Sequence, residues 1–215
     1  MAGDVLNFIL LALSSILIIV NPLAATLFFV SLTSGLDHKE RLQVARDACR
    51  YAFLILIAFA LLGTILLDLF GITIDAFRIG GGILLFGIGM EMVYAKTSRT
   101  KMTVTEKYES MDADDISVMP MAIPMIAGPG AITTTIVLES EAIGTVLQKA
   151  VVLASITIAI IMTYVMMTKS EQIVSRVGQK EFRVINRLMG MLLIAIAVQF
   201  VITGLHSAFP LLAGA

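Results

Sequence analysis

Charged residues are scarce in this chain of 215 residues: they make up 14% of it, against 58% for hydrophobic residues. The mean hydropathy of +0.96 is typical of an integral membrane protein. Cysteine is almost absent, and Cys49 on its own excludes an internal disulfide. The net charge is −1, and no basic stripe remains once the loops are assigned, which argues against a nucleic-acid partner.

The residue patterns of membrane-embedded enzymes are missing as well. The only histidines, His38 and His206, lie at the edges of apolar stretches, and there is no H-E-x-x-H motif or pair of buried aspartates. The start of the chain has no basic flank, and its apolar stretch continues to Leu32, which is longer than the core of a signal peptide. We therefore expect a retained first span in a protein that is not an enzyme and holds no cofactor or metal.

Six apolar stretches reach the length of about 20 residues that a helix needs to cross a bilayer. Thirteen of the 15 Lys and Arg residues follow the first, third and fifth stretches, and only Arg78 and Lys149 fall on the other side. The positive-inside rule then predicts a multi-pass protein of the cell membrane with both termini outside. The predicted spans are roughly 5–32, 46–67, 77–95, 119–138, 146–168 and 188–207.

Two breaks that contain proline lie 107 positions apart, inside the first and fourth spans. Each is followed by an alanine and a threonine at the same offsets, and the third span of each half carries small residues seven apart. Three spans per half is an odd number, so the second half must enter the membrane from the opposite side. We predict an all-α fold of six transmembrane helices, a 3+3 inverted repeat with discontinuous helices 1 and 4. Its parts are a first repeat over 1–95, a cytoplasmic linker over 96–118 and a second repeat over 119–215.

The breaks also predict a binding site. Asparagine or glycine suits a helix N-cap, proline suits the first turn, and free N–H groups at a helix start attract a carboxylate. The carbonyl groups just before each break suit an ammonium group, so the pair fits a small zwitterion. Proline kinks that serve packing alone, and threonine hydroxyls that bond only to their own helix, are the alternatives. The predicted substrate-binding residues are Asn21, Pro22, Leu23, Ala24, Ala25, Thr26, Gly128, Pro129, Gly130, Ala131, Ile132, Thr133 and Gln199, with further hydroxyls at Thr134 and Thr135.

Ionisable groups inside spans are rare and therefore of functional interest. Glu91 in the third span is either an anchor near the cytoplasmic end or a carboxylate that couples transport to protons. Gln199 either bonds to a neighbouring helix or lines the cavity. A passive channel and an exporter of small metabolites or drugs are the alternatives to a transporter of small solutes.

The segments around both breaks resemble the signature segments of the MarC family, and the resemblance extends over essentially the whole chain. It implies a membrane protein similar to the SnatA-type transporters, which carry small neutral amino acids such as glycine and alanine. Coupling to a proton or sodium gradient is implied too, while the direction of transport differs among relatives and the oligomeric state is left open. The matching segments are Asn21–Ala24, Ile123–Ile132, Phe77–Phe86 and Met189–Gln199.

Overall fold

The computed structural model describes residues 2–94, 113–142, 146–176 and 179–209, and within these ranges every regular element is helical. The membrane-length helices are apolar over most of their length, as expected for segments surrounded by hydrocarbon. The elements are α1 (Ala2–Val20), α2 (Pro22–Leu32), α3 (His38–Leu69), α4 (Ile74–Tyr94), α5 (Ala113–Ile116), an irregular segment of wide helical turns (Ser117–Ile126), α6 (Pro129–Glu141), α7 (Val146–Thr168), α8 (Ser170–Arg176) and α9 (Gln179–Ala208).

Five stretches in the described ranges are long and apolar enough to cross a membrane: Val5–Leu32, His38–Leu69, Ile74–Tyr94, Val146–Thr168 and Arg187–Ala208. They correspond to predicted spans one, two, three, five and six. A sixth crossing exists if Ala113–Ile126 and Pro129–Glu141 count as one span, and this pair bends by 55° at its break. The prediction of an all-helical membrane protein is confirmed; five of the six predicted spans are present, and the sixth depends on counting the bent pair as one span.

Helices α4 and α9, the third spans of the two halves, form a tight antiparallel pair along a glycine seam. A Cβ on Gly82 would lie 2.7 Å from the carbonyl oxygen of Ala197. Gly89 and Gly190 meet likewise, since a Cβ on either would lie 2.9–3.0 Å from the carbonyl oxygen of the other. The small residues that the sequence placed seven apart are therefore those that let these two backbones touch.

The other helices assemble around α3, α6 and α7. Helix α7 packs on α1, α2 and α3, and only lightly on α6, while α6 packs on α3, α4 and α1. Every residue of α6 from Thr133 to Glu139 is buried, which makes this short helix the most enclosed one in the described ranges. A helix that is buried on all sides has no lipid-facing stripe.

The first half of the predicted fourth span differs from expectation. Instead of a regular half-helix, Ser117–Ile126 forms wide turns in which Met119 and Ile123 have extended backbone angles. Each of these residues precedes a proline, and a residue before proline is pushed out of the helical region. The predicted fourth span contained Pro120 and Pro124 but was interrupted only at Gly128 and Pro129, so the irregular turns before that break were not predicted.

Part of the segment predicted as a linker is also ordered. Residues Ala113–Ile116 form a helical turn, and the side chain of Gln43 on α3 donates a hydrogen bond of 2.8 Å to the Asp114 carboxylate. Ile116 and Ser117 are buried. Residues 113–118 of the predicted linker therefore belong to α5 and the irregular segment, and residues 96–112 lie outside the described residues.

Candidate functional site

The first break is a single residue wide. Asn21 adopts a left-handed conformation with φ of 46° between α1 and α2, and its Oδ1 accepts a hydrogen bond of 3.1 Å from the Ala24 N–H. Asparagine tolerates this backbone conformation better than most residues. Pro22 then opens α2, where its missing N–H costs nothing. Asn21 is therefore the N-cap that the sequence predicts.

The second break is wider. Gly128 has an extended backbone and precedes Pro129, the first residue of α6. A Cβ on Gly128 would collide with the carbonyl oxygen of Pro124, so the close turn out of the irregular segment requires glycine. Since glycine has no side chain, nothing caps the first turn of α6 as Asn21 caps that of α2. The start of α6 is therefore the more open pole for an anion.

The two breaks share the geometry of their threonines. The Thr26 hydroxyl donates to the Pro22 carbonyl at 2.7 Å, and the Thr133 hydroxyl donates to the Pro129 carbonyl at 2.9 Å. Both are bonds to the residue four positions earlier, a common habit of threonine in membrane helices. These two hydroxyls are thus occupied as donors, in keeping with the alternative raised for them above.

Two other polar groups beside the breaks are buried without a partner. Thr134 is fully buried and Asn21 is 9% exposed. Within the described part of the chain, the Thr134 Oγ1 and the Asn21 Nδ2 have no hydrogen-bond partner. A buried polar atom left unpaired costs about 1–3 kcal/mol, so such atoms usually meet a ligand or a water. Thr134 was noted in the sequence only as one of three hydroxyls, and its neighbours gave no sign that it differs.

The residues flanking both breaks lie in one buried apolar cluster, which contains Val20, Ala25, Ala127 and Ala131. The structure therefore brings the two segments to the same part of the core, although they are far apart in the chain. Residues 20–26 and 127–135, which contain the two breaks, include no charged side chain. A ligand held here would be held by backbone groups, an amide and a hydroxyl.

Some of the predicted details do not hold. The Ala24 and Ala25 N–H groups are not free, because Asn21 accepts from both through its side chain and its carbonyl; the Ile132 N–H bonds to the Gly128 carbonyl. Gly130 does not leave open space, since its Cβ would lie 2.6 Å from a methyl carbon of Leu85 on α4. These positions were expected to face a cavity, but helix initiation and the packing of α4 already use them.

Two predicted residues lie away from the breaks. Gln199 is exposed on α9, and its amide nitrogen donates to the Thr203 hydroxyl of the same helix at 3.2 Å. Glu91 is exposed near the last described turn of α4. The structure does not bring either of them to the buried segments. This favours the anchoring interpretation of Glu91, whereas Gln199 matches neither alternative, because its hydrogen bond to Thr203 stays within its own helix.

A group of charged residues that was not predicted from the sequence lies at one end of the bundle. This is the end where α4 and α7 begin and α6 ends, and it is called here the Arg78 end. Arg78 on α4 lies 2.8 Å from the Glu141 carboxylate, and Lys149 on α7 lies 3.1 Å from the Glu139 carboxylate. Arg78 and Glu139 are buried, at 8% and 7% side-chain exposure. Arg78 and Lys149, the two basic residues that fall outside the predicted cytoplasmic loops, are thus the two that pair with acidic residues of α6.

Another ion pair crosses the opposite end, where α3 begins. Arg41 of α3 lies 2.8 Å from the Glu171 carboxylate of α8, and its guanidinium lies 5.8 Å from the centre of the Phe29 ring of α2. A cavity of about 30 Å³ beside this pair has room for roughly one water molecule. Ion pairs therefore join helices at both ends of the bundle.

The sequence matches the MarC family, described as MarC family integral membrane protein, over residues 6–209. UPF0056 membrane protein MJ1677 of Methanocaldococcus jannaschii is 39% identical, covering 94% of this chain and 98% of its own. UPF0056 membrane protein YvbG of Bacillus subtilis is 37% identical over 96% and 98% of the two chains. UPF0056 membrane protein YhcE of Escherichia coli is 35% identical over 89% of each. No solved structure matches the chain. The chain belongs to the MarC family of integral membrane proteins.

Proposed function

We propose that this protein is a secondary transporter of small neutral amino acids, with glycine and alanine as its substrates. The observation that carries the proposal is the pair of buried, unpartnered donors, Asn21 Nδ2 and Thr134 Oγ1, next to two helix starts in one apolar cluster. A zwitterion bound there would give both donors an acceptor in its carboxylate. The uncapped first turn of α6 adds a positive pole of about half an elementary charge.

The proposal includes a 3+3 inverted repeat, and the helix contacts support it. A two-fold relation between the halves pairs span one with four, two with five and three with six. Contacts between spans one and five, made by α1 and α7, then correspond to contacts between spans four and two. The latter are made by α6 and the irregular segment with α3, and both sets occur. Contacts of α3 with α7, and of α4 with α9, map onto themselves, and both are extensive. Such repeats commonly place the substrate between broken helices near the bilayer midplane.

Alternating access requires that each end of the bundle can close. The ion pairs of Arg78 and Glu141 at one end, and of Arg41 and Glu171 at the other, join helices that would have to separate for a ligand to enter. The Glu171 side chain is 71% exposed, and ion pairs open to water are weak and reversible, which suits a contact that forms and breaks in each cycle. In this proposal, the buried segments around Asn21 and Pro129 are reached from one side at a time.

The test is uptake of radiolabelled glycine and alanine into proteoliposomes of the purified protein. With unlabelled glycine inside, labelled glycine should exchange; with an imposed proton or sodium gradient and an empty lumen, it should accumulate above the external concentration. Accumulation above equilibrium separates a transporter from a passive channel, which only equilibrates. Absence of exchange for glycine and alanine, with protein correctly inserted, would refute the proposal.

A further inference from the structure

The carboxylate of Glu139 on α6 has no role in the proposed function described above. Its side chain is 7% exposed; one oxygen, Oε1, lies 3.1 Å from Lys149 Nζ. The other, Oε2, is buried and has no hydrogen-bond partner among the described residues. A buried carboxylate oxygen without a donor is costly, and binding a proton or another cation would supply its missing partner. Within the described ranges, it is the only buried carboxylate oxygen left unpaired.

The position of Glu139 in its helix adds to this. It lies in the last turn of α6, where the partial negative charge of the helix end disfavours a carboxylate. On the elements packed against α6, the ionisable side chains described at this end are Asp68 of α3, Asp75 and Arg78 of α4, and Lys149 of α7. Arg78 is engaged by Glu141, so Lys149 is the cation that balances Glu139.

That balance is easily lost, because Lys149 is held at the surface. Its side chain is 55% exposed and reaches Glu139 from the first turn of α7. Since α7 packs on α1, α2 and α3 and only lightly on α6, this ion pair is one of the few ties between α6 and α7. Neutralising Glu139 would remove the partner of Lys149 and release that tie.

We propose that Glu139 binds the proton that drives transport, an inference that rests on the proposed function above. A proton taken from the solvent at the Arg78 end binds the carboxylate, and Lys149 Nζ leaves for water with its own charge unchanged. The proton returns to solvent from the same oxygen once the site opens to the other side. A metal ion fits poorly, because the ammonium group of Lys149 already occupies the other carboxylate oxygen.

The same helix connects this proton site to the substrate. Ala131, in the first turn of α6, and Glu139 are eight residues apart, a distance of about 12 Å along a helix. The two ligands therefore do not touch, and a single rigid element of 13 residues responds to both. Protonation of Glu139 at one end of α6 thus changes the position of the other end relative to the substrate.

The experiment uses proteoliposomes with a pH-sensitive dye inside, and compares Glu139→Gln with Asp68→Asn, an exposed carboxylate of α3 at the same end of the bundle. Glu139→Gln should keep glycine exchange, lose proton-driven accumulation and lose glycine-driven acidification of the lumen, while Asp68→Asn keeps all three. Lys149→Gln is a second variant that keeps the inference testable if Glu139→Gln does not fold, since the Lys149 side chain is largely exposed. Because Lys149 is the cation paired with this carboxylate, the pH profile of accumulation should shift in this variant, and an unchanged profile would contradict the inference.

The outcomes are separable. Wild-type protein that exchanges glycine while Glu139→Gln still acidifies the lumen overturns the inference and leaves the proposed function standing. Accumulation that follows a sodium gradient and ignores a proton gradient has the same consequence. Wild-type protein that neither exchanges nor accumulates glycine or alanine overturns the proposed function, and the inference with it.

Discussion

At the scale of single residues, adjacent threonines of α6 play different parts. The Thr133 hydroxyl donates to the Pro129 carbonyl, whereas the Thr134 hydroxyl is fully buried with no partner among the described residues. Sequence alone cannot separate two threonines in a row, because the difference arises from which face of α6 each one occupies. In the proposed transporter, the second hydroxyl is therefore the one available to a substrate, and the first bonds to its own helix.

Thr134→Val is expected to weaken glycine binding by about 1 kcal/mol, roughly fivefold, while stability stays the same or rises. The valine has the same shape and removes a buried hydroxyl that only a ligand or water could satisfy. Thr133→Val is the matched control, and it should leave binding within about twofold, because that hydroxyl already has a partner. Binding by isothermal calorimetry and thermal melts in detergent measure both effects. Equal binding losses in the two variants would remove Thr134 from the site.

The charged residues show what sequence reasoning can and cannot reach at this scale. The excess of basic residues predicted which loops share a side, because charge asymmetry is a property of short segments. It did not predict that Arg78 and Glu141 pair, since they are 63 positions apart and only folding brings them together. Glu139 was missed for a simpler reason: the apolar stretch was ended one residue before it.

At the scale of elements, the starts of α2 and α6 were predictable because proline acts locally. It lacks an N–H group and has a fixed φ, so Pro22 and Pro129 each suit the first turn of a helix. The irregular segment was not predicted, although Pro120 and Pro124 lie within it. Their effect falls on the residues before them, and the result depends on the surrounding helices that hold those turns in place.

The seam between α4 and α9 gives a sharp prediction at this scale. Gly82→Ala should destabilise the protein by about 1–3 kcal/mol, since the new methyl group would meet the carbonyl oxygen of Ala197. Gly87→Ala on the same helix is the control, because a Cβ there meets nothing within 4 Å. It should be neutral, or stabilising by up to about 1 kcal/mol, as alanine favours helix. Melting temperatures in detergent compare the two variants. A Gly82→Ala protein as stable as the control would show that the seam is looser than the structure indicates.

At the scale of the whole molecule, the length and order of the spans were predictable from hydropathy, and which spans touch was not. In a membrane protein, apolar residues face either the lipid or the protein core. Hydropathy therefore does not show which of them contact another helix. The pairing of α4 with α9 was suggested by small residues in both, but the enclosure of α6 by α1, α3 and α4 had no such signal. Long-range contacts of this kind depend on the complete fold.

The orientation of the molecule can be tested with cysteines at two exposed connections. In a Cys49→Ser background, a cysteine at Ile72, between α3 and α4, should react with an impermeant thiol reagent added outside intact cells. A cysteine at Ser34, between α2 and α3, should react only after permeabilisation, because the basic loops lie on its side. Ile72 and Ser34 are both exposed, so reactivity depends on the side of the membrane. The reverse labelling pattern would invert every loop and exchange the inner and outer roles of the two ion-paired ends.

The substrate range follows from the absence of charged side chains in residues 20–26 and 127–135, the segments around the two breaks. Backbone poles, the Asn21 amide and the Thr134 hydroxyl can hold one carboxylate and one ammonium group, and nothing in these segments balances a third charge. Burying an unpaired charge costs several kcal/mol, which is a factor of hundreds or more in affinity. Glycine, alanine and serine should therefore compete for one site, while lysine and glutamate should not.

Glycine methyl ester and N-acetylglycine should also fail to compete, because each lacks one of the two charges that the poles bind. Competition against labelled glycine in proteoliposomes measures this series, and displacement by lysine or by the methyl ester at the concentration effective for alanine would mean that the site lies elsewhere.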